Sequence, residues 1–239
     1  MKTTGFWQRD PLRNLPGQVD QVELKVVVPK REGRFLGIDH DRAPVRRVYF
    51  LDTPDLALYR HGVIVRFRDR PRRDDVVVKL RPVVPGRVPG WLRDAGQFQM
   101  EIDALPGRAV CSGALKKRLG RNDVARAIAT GRPLTKLLSP GQRRLLDKYA
   151  PAGVDLPDLK VYGPIDVRCH SVQLRGLDRG LTAERWRYPD GSDLLELSTR
   201  CAADEAAKVA SRITSALRAY GVGPAEVQRT KTEVALRAP

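Results

Sequence analysis

The sequence predicts an α+β fold in which around eight β-strands close into a barrel or tunnel, with helices packed on its outside. Two observations lead there. Segments of strict apolar/polar alternation recur along the chain, the period-two signature of a strand with one buried face. In six of them the second face is a charged row, and together these rows carry both signs, which a closed sheet can turn inward.

The elements follow from local chemistry. Residues 1–19 are polar and broken by Pro and Gly, a lead-in to a single domain over 20–239. Residues 21–29 alternate up to Pro29, and 47–51, 63–68 and 76–81 repeat the pattern. Between them lie Asp52-Thr53-Pro54-Asp55, which opens a short helical turn, His61-Gly62, and the turn-rich stretch 71–75. Two Pro-Gly pairs make 82–90 a loop, and 97–104 alternates again. From about 111 to 150 the period reads as helical, a helical insertion. There Asn122 can cap a helix that runs through Ala129 and stops at Gly131, and Ser139-Pro140-Gly141-Gln142 has the form of a capping box. Strands return at 165–174 and 181–201, the second folded into a hairpin at Tyr188-Pro189-Asp190-Gly191. Ala206, Val209, Ala210, Ile213 and Leu217 lie on one face of an amphipathic helix over 203–220, and 227–236 reads as a last strand.

Sorted by parity, the apolar rows are Val22/Leu24/Val26, Val63/Val65/Phe67, Val76/Val78/Leu80, Phe98/Met100/Ile102, Ile165/Val167/Cys169 and Leu195/Leu197. Opposite them stand Gln21/Glu23/Lys25, Arg66/Arg68, Lys79/Arg81, Gln99/Glu101/Asp103, Asp166/Arg168/His170 and Glu196/Ser198/Arg200. Any one such row is ordinarily a solvated face. Six together point to a shared interior. Arg66/Arg68 and Lys79/Arg81 set like charges about 7 Å apart, at a cost of about 2 kcal/mol per pair for an effective dielectric near 20, so a confined face needs an anion or facing carboxylates. Glu23, Glu101, Asp103 and Glu196 are the hard oxygen donors that Mg2+ or Mn2+ would take beside phosphate.

Charge points the same way. Lys plus Arg number 44 against 28 Asp plus Glu, a formal net charge of +16 that calls for an anionic partner. Nucleic acid, an acidic membrane and a phosphate-rich small molecule all fit that charge; the cations are spread evenly, without a basic tail, which weakens only the picture of a disordered cationic arm on nucleic acid. No apolar run suits a signal peptide or a membrane span, so a cytoplasmic protein with no membrane partner is expected. Cys111, Cys169 and Cys201 are too few and too scattered for a disulfide framework or a zinc site and read as reduced thiols. There is no Gly-x-Ser-x-Gly elbow, Walker loop or dinucleotide fingerprint. Asp39, His40, Asp41 and His61 read as loop or turn residues, and a surface or hydrogen-bonding role suits His170 better than catalysis.

In order along the chain, Val22-Glu23-Leu24-Lys25, the stretch Tyr49-Phe50-Leu51-Asp52-Thr53-Pro54-Asp55-Leu56 running into Leu58-Tyr59-Arg60-His61-Gly62, then Arg66-Phe67-Arg68 and Val78-Lys79-Leu80 resemble the CYTH family, the triphosphate tunnel metalloenzymes. The likeness extends over about 21–236. It implies an eight-stranded antiparallel tunnel that binds a triphosphate with a divalent metal. By position it makes Lys25, Arg66, Arg68, Lys79, Arg168 and Lys231, with Arg81 on the same row as Lys79, the phosphate-holding set. It makes Glu23, Glu101, Glu196, Asp103 and Glu184 the metal ligands, with turnover resting on Glu23 and Glu196. Gln21 and Ser198 stand where the family carries glutamates, which leaves ligands for one metal rather than two. The implied activity is hydrolysis of inorganic tripolyphosphate or of a nucleoside or thiamine triphosphate. The alternatives are a class IV-type adenylyl cyclase and a noncatalytic polyphosphate- or triphosphate-binding module. Oligomeric state is left open, a dimer included.

Overall fold

The computed structural model describes residues 5–7, 19–39 and 42–237. Most of the expected lead-in, together with His40 and Asp41, lies outside them. The part of the lead-in that is described is built into the core: Trp7 is buried, and its indole N–H donates to the Ala104 carbonyl at 3.0 Å.

The described residues form nine strands, one more than expected. β1 (Gln21–Val28), β2 (Val45–Asp52), β3 (Val63–Asp69), β4 (Asp75–Leu80), β5 (Phe98–Leu105), β6 (Arg108–Arg118), β7 (Lys160–Val172), β8 (Leu181–Arg187) and β9 (Asp193–Cys201) close into one barrel in the order β1-β5-β6-β4-β3-β2-β7-β8-β9. Each junction is antiparallel except β1–β5, where Glu23 lies beside Asp103 in a parallel pair. The odd count requires this. A ring of nine strands cannot alternate direction all the way round, so the fully antiparallel expectation fails at one seam.

Two elements differ from the expected ones. Residues 108–118 are strand β6, so the helical insertion begins only at Asp123. The run of small residues at the centre of β6, Ser112-Gly113-Ala114, hides the strand, and at Gly113 the reason is tertiary: a Cβ there would lie 2.5 Å from the Phe98 ring that crosses it. The second correction is at the C-terminus, where the expected strand 227–236 is instead a loop and a helix. The six α-helices among the described residues are α1 (Ala57–Arg60), α2 (Gly90–Arg93), α3 (Asp123–Ala129), α4 (Pro140–Tyr149), α5 (Ala206–Ala219) and α6 (Lys231–Arg237).

The helices cover the barrel as the apolar rows demand. Val22, Leu24 and Val26 pack with Val209, Ala210, Ile213 and Leu217 of α5. Val63, Val65, Phe67, Val76 and Val78 pack with Val124 of α3 and with Leu145 and Leu146 of α4. Ser139 and Gln142 make the reciprocal capping box of α4, while the Gln142 amide also donates to the carbonyls of Val76 and Leu115 at 3.1 and 3.0 Å and so locks the helix to the sheet. Asn122 stands at the N-cap of α3 in a left-handed conformation, without a side-chain cap.

The inward row of β7 is the reverse of the expected one. Val167 and Cys169 face the interior, and Ile165 joins the apolar cluster there, while Asp166 on the opposite row is exposed. In the barrel's interior, Val27, Phe50, Ile64, Leu105, Trp186 and Leu194 close one end together with Ala235 and Leu236 of α6. The bore is therefore a cup, apolar at its floor and charged toward its mouth. No helix among the described residues is long and apolar enough to cross a membrane.

Candidate functional site

The inner rows of β1, β3, β4, β5, β8 and β9 converge on a cavity of about 130 Å3. Lys25, Arg66, Arg68, Lys79, Arg81 and Lys231 all line it, with Glu23, Glu101, Glu184 and Glu196. Arg46 and Arg200 add two cations, so eight basic side chains face four carboxylates. Asp103 lies in the wall behind them, fully buried.

Two clusters make up the acid-base pattern. In the first, the Lys25 ammonium lies 2.7 Å from Glu23 and 2.5 Å from Asp103, and that of Lys79 lies 3.0 Å from Glu101 and 2.8 Å from Asp103. Arg200 reaches Glu23 at 2.8 Å, the Ser112 hydroxyl donates to Asp103 at 2.9 Å, and Arg81 stands 3.6 Å from Asp103. Gln21 donates its amide to Glu101 at 3.3 Å and so supports that carboxylate. In the second cluster Lys231, brought in at the start of α6, bridges Glu184 at 2.5 Å and Glu196 at 2.7 Å. The Trp186 indole N–H donates to Glu184 at 3.1 Å.

Arg66 differs from these. Its Nε is buried in the cavity wall with no hydrogen-bond partner, and no ion pair holds its guanidinium among the described residues. Burial, reinforced by Arg68, lowers its pKa to about 10, which still leaves it charged at neutral pH.

Five carboxylates were expected as metal ligands, and the structure brings three of them to one point. Glu23, Glu101 and Asp103 each offer an oxygen within 4.8 Å of the other two. Glu184 and Glu196 sit in the lysine bridge deeper in the bore. Arg168 is not in the cavity. Because β7 turns its apolar row inward, Arg168 lies on the other face and donates to the Ala43 carbonyl at 2.5 Å. Sequence reasoning did not include Arg46 and Arg200 among the phosphate-holding residues, although the signal was present. Arg200 ends the row Glu196/Ser198, and Arg46 shares the parity of Val48 and Phe50 one step before the expected start of its strand.

Burial alone would raise the Glu23 carboxyl, but Lys25, Arg200 and Lys231 hold it at about 2. Asp103 is likewise held well below the usual carboxylate range by Lys25, Lys79 and Arg81 against its burial, and Glu184 by Lys231. Burial would lower the Lys25 pKa, but the surrounding carboxylates raise it. Burial pushes the Cys169 thiol to about 11, which removes it as a nucleophile at neutral pH. Carboxylates with depressed pKa values stabilise the fold fully above their unfolded values and cease to do so as pH falls through the folded ones. The thermal midpoint should therefore stay level from pH 7 to about 5 and drop progressively between about 4.5 and 2. Lys25, with its raised value, contributes fully below about pH 10.5 and loses its share above it. Calorimetry across this range checks both limbs, and a midpoint unchanged at pH 3 would contradict the ionised pairs.

Among solved structures, the chain is similar to one described as a "putative adenylate cyclase" from Bacillus halodurans, with a TM-score of 0.60 and 14% identity over 91% of this chain and 98% of that one. It is also similar to a "putative adenylyl cyclase" from Hippeastrum described as having a dominant triphosphatase activity, with a TM-score of 0.60 and 15% identity over 90% of this chain and 94% of that one. The chain shares the fold of both proteins. No family model matches the sequence, and no curated protein does.

Proposed function

We propose that the chain binds a triphosphate-bearing anion in the tunnel and, with a divalent cation, hydrolyses a terminal phosphoanhydride bond. Arg66 carries the reading: a half-buried guanidinium whose buried Nε is unpartnered and which has no carboxylate in ion-pair range among the described residues, in a cavity whose cations outnumber its carboxylates, is suited to an oxyanion. Lys25, Lys79, Arg81 and Lys231 would turn from their present carboxylates toward phosphate oxygens and spread the charge that develops on the transferred group.

Glu23, Glu101 and Asp103 are a hard-oxygen set suited to Mg2+ or Mn2+, and an ion held there would supply Lewis-acid polarisation of the phosphate oxygens. Its entry competes with Lys25 and Lys79, which now occupy those oxygens. A carboxylate held at about 2, as Glu23 is, is a poor proton acceptor. Its role is to orient a water by accepting its hydrogen bond, which suffices because a loose phosphoryl transition state asks little of a base.

The test is a metal-by-substrate screen. Phosphate release from tripolyphosphate, ATP and thiamine triphosphate is measured with Mg2+ and Mn2+, beside calorimetric binding. The expected result is metal-dependent release from at least one of them. Cyclic AMP formation from ATP would replace hydrolysis with cyclisation, and tight binding with background release would make the chain a noncatalytic module.

A further inference from the structure

On the open side of the barrel the inner rows continue past the cavity as cations. On β3, Arg66 and Arg68 are followed by Arg70 at the same parity. On β6 the row of Ser112 and Ala114 runs on through Lys116 to Arg118, and on β2 the row of Val48 begins at Arg46. β6, β4, β3 and β2 are consecutive neighbours, so these side chains share one sector of the mouth.

Among the described residues that sector holds one inward carboxylate, the fully buried Asp75. Arg68 grips it at 2.7 and 3.1 Å, Arg70 at 2.5 Å, and Lys116 stands 3.9 Å away. One negative charge among three cations leaves two positive charges over, before Arg46 and Arg118 are added. Burial lowers the pKa of Arg70 and of Lys116; Asp75 opposes this in both, and the like charges of Arg68 and Arg46 at Arg70, and of Arg68, Arg70 and Arg118 at Lys116, add to it. Such crowding opposes folding unless an anion is the customary neighbour. The aromatic side chains of these strands are turned elsewhere: Tyr49 and Phe67 pack in the outer core and Phe50 at the floor of the bore.

We propose that this rim is a second anion-binding site, continuous with the tunnel, that holds the outer units of a linear inorganic phosphate chain whose end lies on Arg66 and Lys25. The assignment rests on the triphosphate reading of the tunnel. A bare phosphate chain puts a negative charge on every unit and matches closely set arginines and a lysine. A nucleoside or an RNA strand would bring bases that need stacking partners, and this sector presents none among the described residues.

The test compares calorimetric affinities for tripolyphosphate, for a chain of about 15 phosphates, and for a 5′-triphosphorylated oligoribonucleotide, at one fixed ionic strength because polyanion binding is steeply salt-dependent. The long chain should bind at least about tenfold more tightly per molecule than tripolyphosphate. Part of that gain is statistical, since a long chain offers many overlapping registers. The decisive comparison is the double variant Arg70→Gln/Arg118→Gln, which keeps the statistical part. It should lose most of the excess, while its tripolyphosphate affinity stays within about twofold of the parent value. Arg118→Gln alone, at an exposed position, should lose part of the excess and serves if the double variant does not fold. Tight tripolyphosphate binding with the same length dependence in parent and variant overturns the rim site alone. An oligoribonucleotide that outcompetes the phosphate chain overturns the assignment of its ligand. Failure of the parent protein to bind tripolyphosphate overturns the tunnel reading, and the rim site with it.

Discussion

Replacing Arg66 with methionine is expected to weaken tripolyphosphate binding by about a hundredfold while leaving the thermal midpoint unchanged or slightly raised. The two halves of this expectation have one cause. Arg66 stands in the cavity wall with a buried, unpaired Nε, and burial together with the neighbouring Arg68 works against its charge. In the free protein its charge is therefore a burden on the fold, and methionine keeps much of its volume without the charge. In the complex the same guanidinium would make charge-assisted hydrogen bonds to phosphate, worth about 3 kcal/mol, or a factor of about a hundred in Kd. Calorimetric titration and a melting curve on the same sample decide it. A destabilised variant that still binds at parent affinity would show Arg66 to be structural.

Asp103→Asn should do the opposite, lowering stability by about 3 kcal/mol, or roughly 6–12 °C in midpoint for a domain of this size. Asp103 is fully buried and is shared by Lys25 at 2.5 Å and Lys79 at 2.8 Å, with the Ser112 hydroxyl at 2.9 Å. Removing its charge leaves two largely buried ammonium groups with one carboxylate each, Glu23 for Lys25 and Glu101 for Lys79. Added tripolyphosphate should restore much of the lost midpoint, because it supplies the missing negative charge and binds only the folded chain. A variant as stable as the parent would mean that the lysines find other partners, and the account of the bore as a mutually compensated ion cluster would fail.

The charged rows on β1, β3, β4, β5 and β9 were legible because each of these strands carries an unbroken apolar row on its other face, and that row has to lie against a helix. β7 shows where the same logic fails. Its apolar row Ile165/Val167/Cys169 is as regular as the others, yet it turns into the bore, since the interior near the floor is itself apolar. Parity can say that two rows differ, but not which side of a closed sheet is the drier at a given height. β6 was missed because Gly113 at its centre, bare so that the Phe98 ring of the neighbouring strand can cross it, interrupts the period-two pattern.

By itself the sequence determined that the chain carries strands with one greasy and one charged face, and that Lys25, Arg66, Lys79, Glu23, Glu101 and Glu196 belong to the charged set. These are local facts, set by alternation along a backbone whose side chains must point to opposite sides. Tertiary structure alone decided that nine strands close the ring with one parallel seam, that α6 stops one end, that Arg66 goes unpaired and that Arg168 is turned away. Which charges meet depends on register and closure between segments far apart in the chain, and no single segment encodes either.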